Sequence, residues 1–276
     1  MIRIRQFLDG GDPQPFILSD RGLLLADGVL DTSLVIKGEM FLQSAHLDRL
    51  IRDAAALDID IEREEIEAFV KETLGPDTTG ALRLTVTRGP GERGLTGKAH
   101  GAPTLIAAVA PLDETRQFAP LSLQTSAITR NPASITAAHK TLAYTDNIVA
   151  ARRAQAAGFD EALFLNTSGQ VACAATGNIF IREGETLVTP PIGDGALSGV
   201  MRGWLLESVP ASGFAVAEDT LCPDRLNTAD QVFVTNSLRL IAPVSRVDDK
   251  HFDISPPGGL VAKLRTQMAQ LGARQT

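Results

Sequence analysis

His139-Lys140-Thr141-Leu142-Ala143-Tyr144 opens the stretch on which the reading of the whole chain turns. A helical run follows, Asn147-Ile148-Val149-Ala150-Ala151-Arg152-Arg153. After it come a strand-like segment, Glu161-Ala162-Leu163-Phe164-Leu165-Asn166, a turn, and Val171 to Asn178. Taken alone, a lysine is a solvated surface charge. At the head of this string, with anion-holding features before and after it, Lys140 is a candidate Schiff-base amine for an aldehyde cofactor with a phosphate tail.

Working outward, the first hundred or so residues mix strands and helices. Val35 to Phe41 reads as two short strands about a Lys37-Gly38 turn. Ser44 is placed to cap a helix over His46 to Leu57, whose Leu47, Leu50, Ile51 and Ala54 share a face. A second helix, Ile61 to Leu74, turns Ile66, Phe69 and Val70 inward and stops at Gly75-Pro76. Leu82 to Val86 alternates as a half-buried strand does, and Pro103 to Ala110 reads as another. Pro111 to Gln117 is polar and bounded by Pro111 and Pro120, which makes it the best linker. The expected organisation is a smaller domain over residues 1–113, a linker over 114–120, and a larger domain over 121–276 carrying Lys140. In the larger part, strands are expected at Leu121 to Ile128, around Leu163 and Val171, from Ile179 to Val188 and at Gln231 to Val234. Helices are expected from Thr145 to Ala157, Ser198 to Val209 and Leu260 to Leu271. Strands and helices intermingle without regular βαβ alternation, so two α+β domains fit better than a doubly wound sheet.

Composition narrows the function classes. The 276 residues are 44% hydrophobic, enough for a sizeable core. The net charge of −7 argues against nucleic acid or an anionic membrane as partner. Cys173 and Cys222 are too few for a disulfide framework and lack metal-ligand spacing, which suits a reducing cytoplasm. Met1 to Gln6 has no apolar core of a signal peptide, with Asp9 and Asp12 close behind, and no apolar run reaches membrane-spanning length.

An aldehyde cofactor of this kind needs an amine, a phosphate cradle, a donor to its ring oxygen and a partner for its ring nitrogen. Ser198-Gly199-Val200-Met201 can open a helix whose unpaired N–H groups face an anion, or can be a plain Ser-capped helix. Arg49 can reach a phosphate bidentately or stay solvated. Tyr144, the single tyrosine, can donate to the ring oxygen or pack at a seam, and Thr235-Asn236-Ser237 offers further donors or a simple turn. His46, His139, Cys222 and Trp204 read as bracing, surface, packing or capping, and core residues respectively.

The order of these pieces resembles the class IV aminotransferases, the fold-type IV pyridoxal-phosphate enzymes. Arg21-Gly22-Leu23-Leu24-Leu25-Ala26-Asp27-Gly28 through His46-Leu47-Asp48-Arg49-Leu50 resembles their N-terminal signature, and Lys140 to Tyr144 their Schiff-base loop. Gly158 to Leu163, Gly177 to Phe180, Val188 to Pro191, Leu197 to Arg202, Thr235 to Ser237 and Pro243-Val244 follow in the family's order, so the resemblance spans nearly the whole chain. It implies homodimers of two-domain α+β subunits with the cofactor, pyridoxal 5′-phosphate, at the domain cleft. It implies Lys140 as catalytic residue and cofactor anchor; Arg49, Val200, Met201 and Ser237 at the phosphate; Tyr144 by the ring oxygen; and Asn178 and position 173 near the ring. No metal is implied.

One position departs from the family pattern. The glutamate that holds the ring nitrogen, five residues before the match to Asn178, is Cys173 here. A neutral thiol cannot supply a carboxylate's charge, so the ring is a weaker electron sink. The expected reaction is transfer of the amino group of a small, branched-chain-like amino acid to a keto acid. The alternative is 4-amino-4-deoxychorismate lyase, which eliminates pyruvate to give 4-aminobenzoate and leans on product aromatisation. Arg88 to Gly94 and Thr235 to Arg239 resemble that branch. An Arg-x-His carboxylate trap is missing after Arg93, which argues against D-amino acids. Arg93 and Arg239 are the candidate substrate-carboxylate ligands. A non-catalytic scaffold is the remaining alternative.

Overall fold

A computed structural model describes residues 2–7, 16–210, 213–255, 259, 261–263 and 265–266. The chain packs as two units, one drawn mainly from residues up to Leu112 together with His139–Ala143, the other from Asp113–Ala138 and Tyr144–Arg265.

The first unit holds strands β1 (Ile2–Phe7), β2 (Gly28–Ile36), β3 (Glu39–Met40), β4 (Gly80–Thr87) and β5 (Thr104–Ala110). It also holds helices α1 (Arg21–Leu25), α2 (Gln43–Ala55) and α3 (Arg63–Thr73). The sheet order is β1-β5-β4-β2-β3, with β1 parallel to β5 and the other pairs antiparallel. The expected hairpin is present, with Val35 opposite Met40. Lys37 and Gly38 both have positive φ (47° and 79°), the pairing that matches the strands' twist. A Cβ on Gly38 would lie 2.6 Å from the Gly75 carbonyl, so that corner needs glycine. Leu82, Leu84 and Val86 of β4 point into a core closed by Leu47, Leu50 and Ala54 of α2 and by Ile66, Phe69 and Val70 of α3. Each large side chain buried there stabilises the unit by roughly 1.5–3 kcal/mol.

Ser44 is not the cap of α2. The Phe41 N–H is drawn onto the Leu34 carbonyl (2.8 Å), so the chain leaves β3 tightly and turns helical at Gln43. Leu42 takes the cap position with left-handed φ of 55°, and the Ser44 hydroxyl donates instead to Asp48 (3.3 Å).

The second unit contains β6 (Leu121–Thr125), α4 (Ile135–Ala138), α5 (Thr145–Ala156), β7 (Glu161–Leu165), β8 (Val171–Ala174), β9 (Asn178–Glu183) and β10 (Thr186–Thr189). It continues with α6 (Val200–Ser208), β11 (Ala215–Glu218), α7 (Pro223–Thr228), β12 (Gln231–Asn236), β13 (Leu240–Val247) and β14 (Lys250–His251). Its sheet runs β11-β10-β9-β12-β13-β6-β7-β8, with β14 on β13. Parallel pairs (β6 with β7 and β13, β10 with β11) mix with antiparallel ones, so the architecture is α+β, as expected. One sheet face is lined by Leu121, Leu163, Ile179, Ile181, Val232 and Val234. At β7 and β8, Ala162, Phe164 and Ala172 pack against Ala150 and Ala154 of α5.

The Lys140 segment groups with the first unit, whereas the sequence reading put it in the second. The reason is hydrogen bonding to α2 and β2, described below. The helix expected from Leu260 to Leu271 falls largely outside the described residues, of which 261–263 and 265–266 are helical.

Candidate cofactor site

Helix α2 carries two stripes. Beside the apolar Leu47, Leu50 and Ala54 runs a polar one, His46, Arg49 and Asp53, one and two turns apart on a single face. All three are buried. Asp31 of β2 meets the first two: Oδ1 lies 2.5 Å from His46 Nδ1, while Oδ2 accepts from Arg49 Nε (2.8 Å) and lies 2.7 Å from Nη2. Burial pushes the Asp31 carboxyl up, but Arg49 and His46 outweigh it and hold its pKa below the ordinary value. Arg49 is therefore a fixed, buried cation whose Nη1 makes no hydrogen bond among the described residues. His46 braces that arrangement through Asp31 rather than directly.

Asp53, at the end of the stripe, receives the Lys140 segment. Its Oδ2 accepts the Lys140 N–H (2.9 Å) and its Oδ1 lies 3.0 Å from His139 Nδ1. On the other side the Lys140 carbonyl accepts the Leu30 N–H, and the Leu142 N–H donates to Gly28, each at 2.9 Å. The segment thus lies along β2, with Thr141 bridged to Val29. His139 is a partner of a buried carboxylate, not the surface histidine expected, because α2 brings Asp53 to it.

Also in the first unit, Arg93 is exposed on the loop after β4. Buried Arg21 holds that loop by its main chain, donating to the carbonyls of Glu92 (3.2 Å), Gly94 (2.9 Å) and Leu95 (2.9 Å). Asp27 orients Arg21 from behind (2.9 Å) and is shared with Arg88 (2.8 Å).

In the second unit, Gly199 caps α6 with no side-chain hydrogen bond, so Val200 and Met201 open the helix with N–H groups available to an anion. Asn178 backs this end: its Nδ2 donates to the Leu197 carbonyl (2.8 Å), and its Oδ1 lies 2.1 Å from where a Cβ on Gly199 would stand. Ser198 is therefore not the cap. Thr235 is paired across the sheet with Asn178, so their side chains share a face, the one opposite Ile179 and Val234. The Thr235 hydroxyl is buried and has no hydrogen-bond partner among the described residues. An orphaned hydroxyl on the face that carries Asn178, whose side chain meets Leu197 and Gly199, fits a phosphate dianion. Ser237 lies two residues on, in a turn where Asn236 Oδ1 accepts the N–H groups of Leu238 (3.0 Å) and Arg239 (2.7 Å).

Cys173 is buried on β8 opposite Phe164 of β7. Burial pushes its thiol pKa up; Arg130 pulls it down and the Glu161 charge adds to the rise. The thiol stays protonated at neutral pH. A buried carboxylate does approach this turn: Glu161, which accepts the N–H and hydroxyl of Thr176. Burial raises its pKa, against those bonds and the charges of Arg239 and Arg116. Arg239 is half-buried, and Tyr144 stands at the start of α5.

The structure thus gathers Arg49 and Lys140 on the α2 face of one unit, and Asn178, Val200 and Met201 at one helix end in the other. Sequence reading assigned no role to Asp31, Asp53 or Glu161, and named Gly199 and Thr235 only within the donor motifs Ser198 to Met201 and Thr235 to Ser237. Gly199 carried a signal, since a glycine before a helix suits close approach; the rest act through partners remote in sequence.

The profile of amino-transferase class IV matches residues 28–247. A Methanocaldococcus jannaschii protein, provisionally named a branched-chain-amino-acid aminotransferase, is 31% identical over 96% of this chain and 94% of its own. The D-alanine aminotransferase of Bacillus licheniformis is 26% identical over 91% of this chain and 89% of its own. The crystal structure of 4-amino-4-deoxychorismate lyase from Pseudomonas aeruginosa superposes with a TM-score of 0.80 at 29% identity, covering 95% of this chain and 97% of that one.

Proposed function

The chain belongs to the class IV aminotransferase family, and on that premise we propose that it uses pyridoxal 5′-phosphate to transfer the amino group of a small amino acid to a keto acid. The observation that carries the cofactor reading is the orphaned Thr235 hydroxyl on the sheet face of Asn178, which backs the open N-terminus of α6. When bound, the cofactor supplies an aldehyde carbon and an electron-withdrawing ring. Arg49, with the N–H groups of Val200 and Met201 and the hydroxyls of Thr235 and Ser237, would bind the phosphate. Lys140 Nζ would hold the aldehyde in the resting enzyme and, once the substrate's amine has displaced it, would be free to take the proton from the substrate's α-carbon. Tyr144 would donate to the ring oxygen. Arg93 and Arg239 would bind substrate carboxylate.

Cys173 favours a second reading. A buried, protonated thiol brings no negative charge to the ring nitrogen, and elimination of pyruvate from aminodeoxychorismate leans less on the ring than transamination does. Purified protein should show a visible absorbance band with pyridoxal phosphate that disappears in Lys140→Ala, along with all turnover. No band in the wild type would refute the cofactor reading. Release of 4-aminobenzoate from aminodeoxychorismate, with no transfer from an amino-acid panel to 2-oxoglutarate, would replace transamination with the lyase reaction.

The working form is a homodimer, supported by the apolar run Ile17, Leu18, Leu23, Leu24 and Leu25, with Leu18 78% exposed. Cytoplasmic placement is supported by two free cysteines. No helix among the described residues is long and apolar enough to cross a membrane.

A further inference from the structure

The peptide that carries Lys140 is bonded on both sides. Its N–H goes to Asp53 Oδ2 on α2 (2.9 Å), and its carbonyl accepts from Leu30 on β2 (2.9 Å). Asp53 is 1% exposed, and its other oxygen takes His139 Nδ1 (3.0 Å) and the half-exposed Arg52 guanidinium (3.0 and 3.2 Å). A buried carboxylate is retained only where such donors satisfy it. Here one of them is the main-chain N–H of Lys140, the proposed cofactor anchor.

We propose that Asp53 is a positioning residue for Lys140: it fixes the lysine's backbone through a charge-assisted N–H bond, so that the peptide carrying the amine is already placed when the amine meets an aldehyde. Hydrogen bonds to an ionised acceptor are roughly twice as strong as neutral ones. Preorganising one partner strengthens its encounter with the other without any new contact. His139, on the opposite oxygen, is not the carrier of this effect. The inference rests on the cofactor reading of Lys140.

Two ligands separate positioning from general stability. Pyridoxal phosphate has ring, phosphate and aldehyde; 4′-deoxypyridoxine 5′-phosphate has ring and phosphate but no aldehyde. In Asp53→Ala the dissociation constant for the aldehyde ligand should rise about tenfold, while that for the deoxy ligand stays within about twofold. Asp53→Asn, which keeps an oxygen for the Lys140 N–H, should recover part of the loss, and His139→Ala should leave the ratio of the two constants unchanged. Equal weakening of both ligands, no change in either, or the same ratio shift in His139→Ala would overturn the proposal. If Asp53→Ala does not fold, the ratio in Asp53→Asn decides by the same criterion. Wild-type protein that binds neither ligand would overturn the cofactor reading itself, and this proposal with it.

Discussion

Gly199 has no room for a side chain. Its backbone is ordinary extended geometry (φ −72°, ψ 141°), so alanine meets no conformational barrier there. The obstacle is Asn178 Oδ1, 2.1 Å from the missing Cβ. Gly199→Ala should therefore push Asn178 off the Leu197 carbonyl and disturb the start of α6. The expected loss is about 1–3 kcal/mol of stability and about tenfold or more in affinity for pyridoxal phosphate. Gly203, in the same helix with nothing near its Cβ position, is the control: Gly203→Ala should gain roughly 0.5–1 kcal/mol. Calorimetry and cofactor titration of the two variants check this, and equal behaviour would sink the steric account. Glu161 makes a second case at this scale. Its pKa is raised by burial, so the folded state holds the proton more tightly than the unfolded one. Its contribution is full below the ordinary value of 4.5 and is lost as pH rises through the folded pKa. Glu161→Gln, which can still accept from Thr176, should match wild type in melting temperature near pH 4 and exceed it increasingly as pH rises. A pH-independent difference would refute the burial argument.

At the scale of elements, what could be read from the sequence followed from local periodicity. Leu47, Leu50 and Ala54 recur at helical spacing, and Leu82, Leu84 and Val86 at strand spacing, so α2 and β4 are visible without tertiary information. The Ser44 cap failed because the helix start is set by the tight exit from β3, through a bond between Phe41 and Leu34. Site residues divide the same way. Lys140, Arg49 and the Val200-Met201 turn lie in motifs whose order is legible. Asp53 and Glu161 look like ordinary solvated acids until α2 meets residues 139–140 and β7 meets the turn at Thr176. A buried carboxylate is defined by its donors, and those donors lie remote in the sequence.

At the scale of the molecule, an apolar run as exposed as residues 17–25 is uncommon on a chain that stays monomeric. Sedimentation equilibrium should give twice the 29.3 kDa chain mass, and the Leu23→Asp, Leu24→Asp double variant should shift it to the chain mass. A wild-type monomer at micromolar concentration would remove the dimer from the proposal.

Arg21 grips the loop of residues 92–95 by carbonyl oxygens alone. Since every residue type carries that oxygen, the loop's shape does not depend on which side chains it displays. Arg93 or Leu95 can be exchanged while the fastening stays intact. A lineage built on this chain can revise what that surface offers to a substrate one residue at a time, without first solving the folding of the loop again.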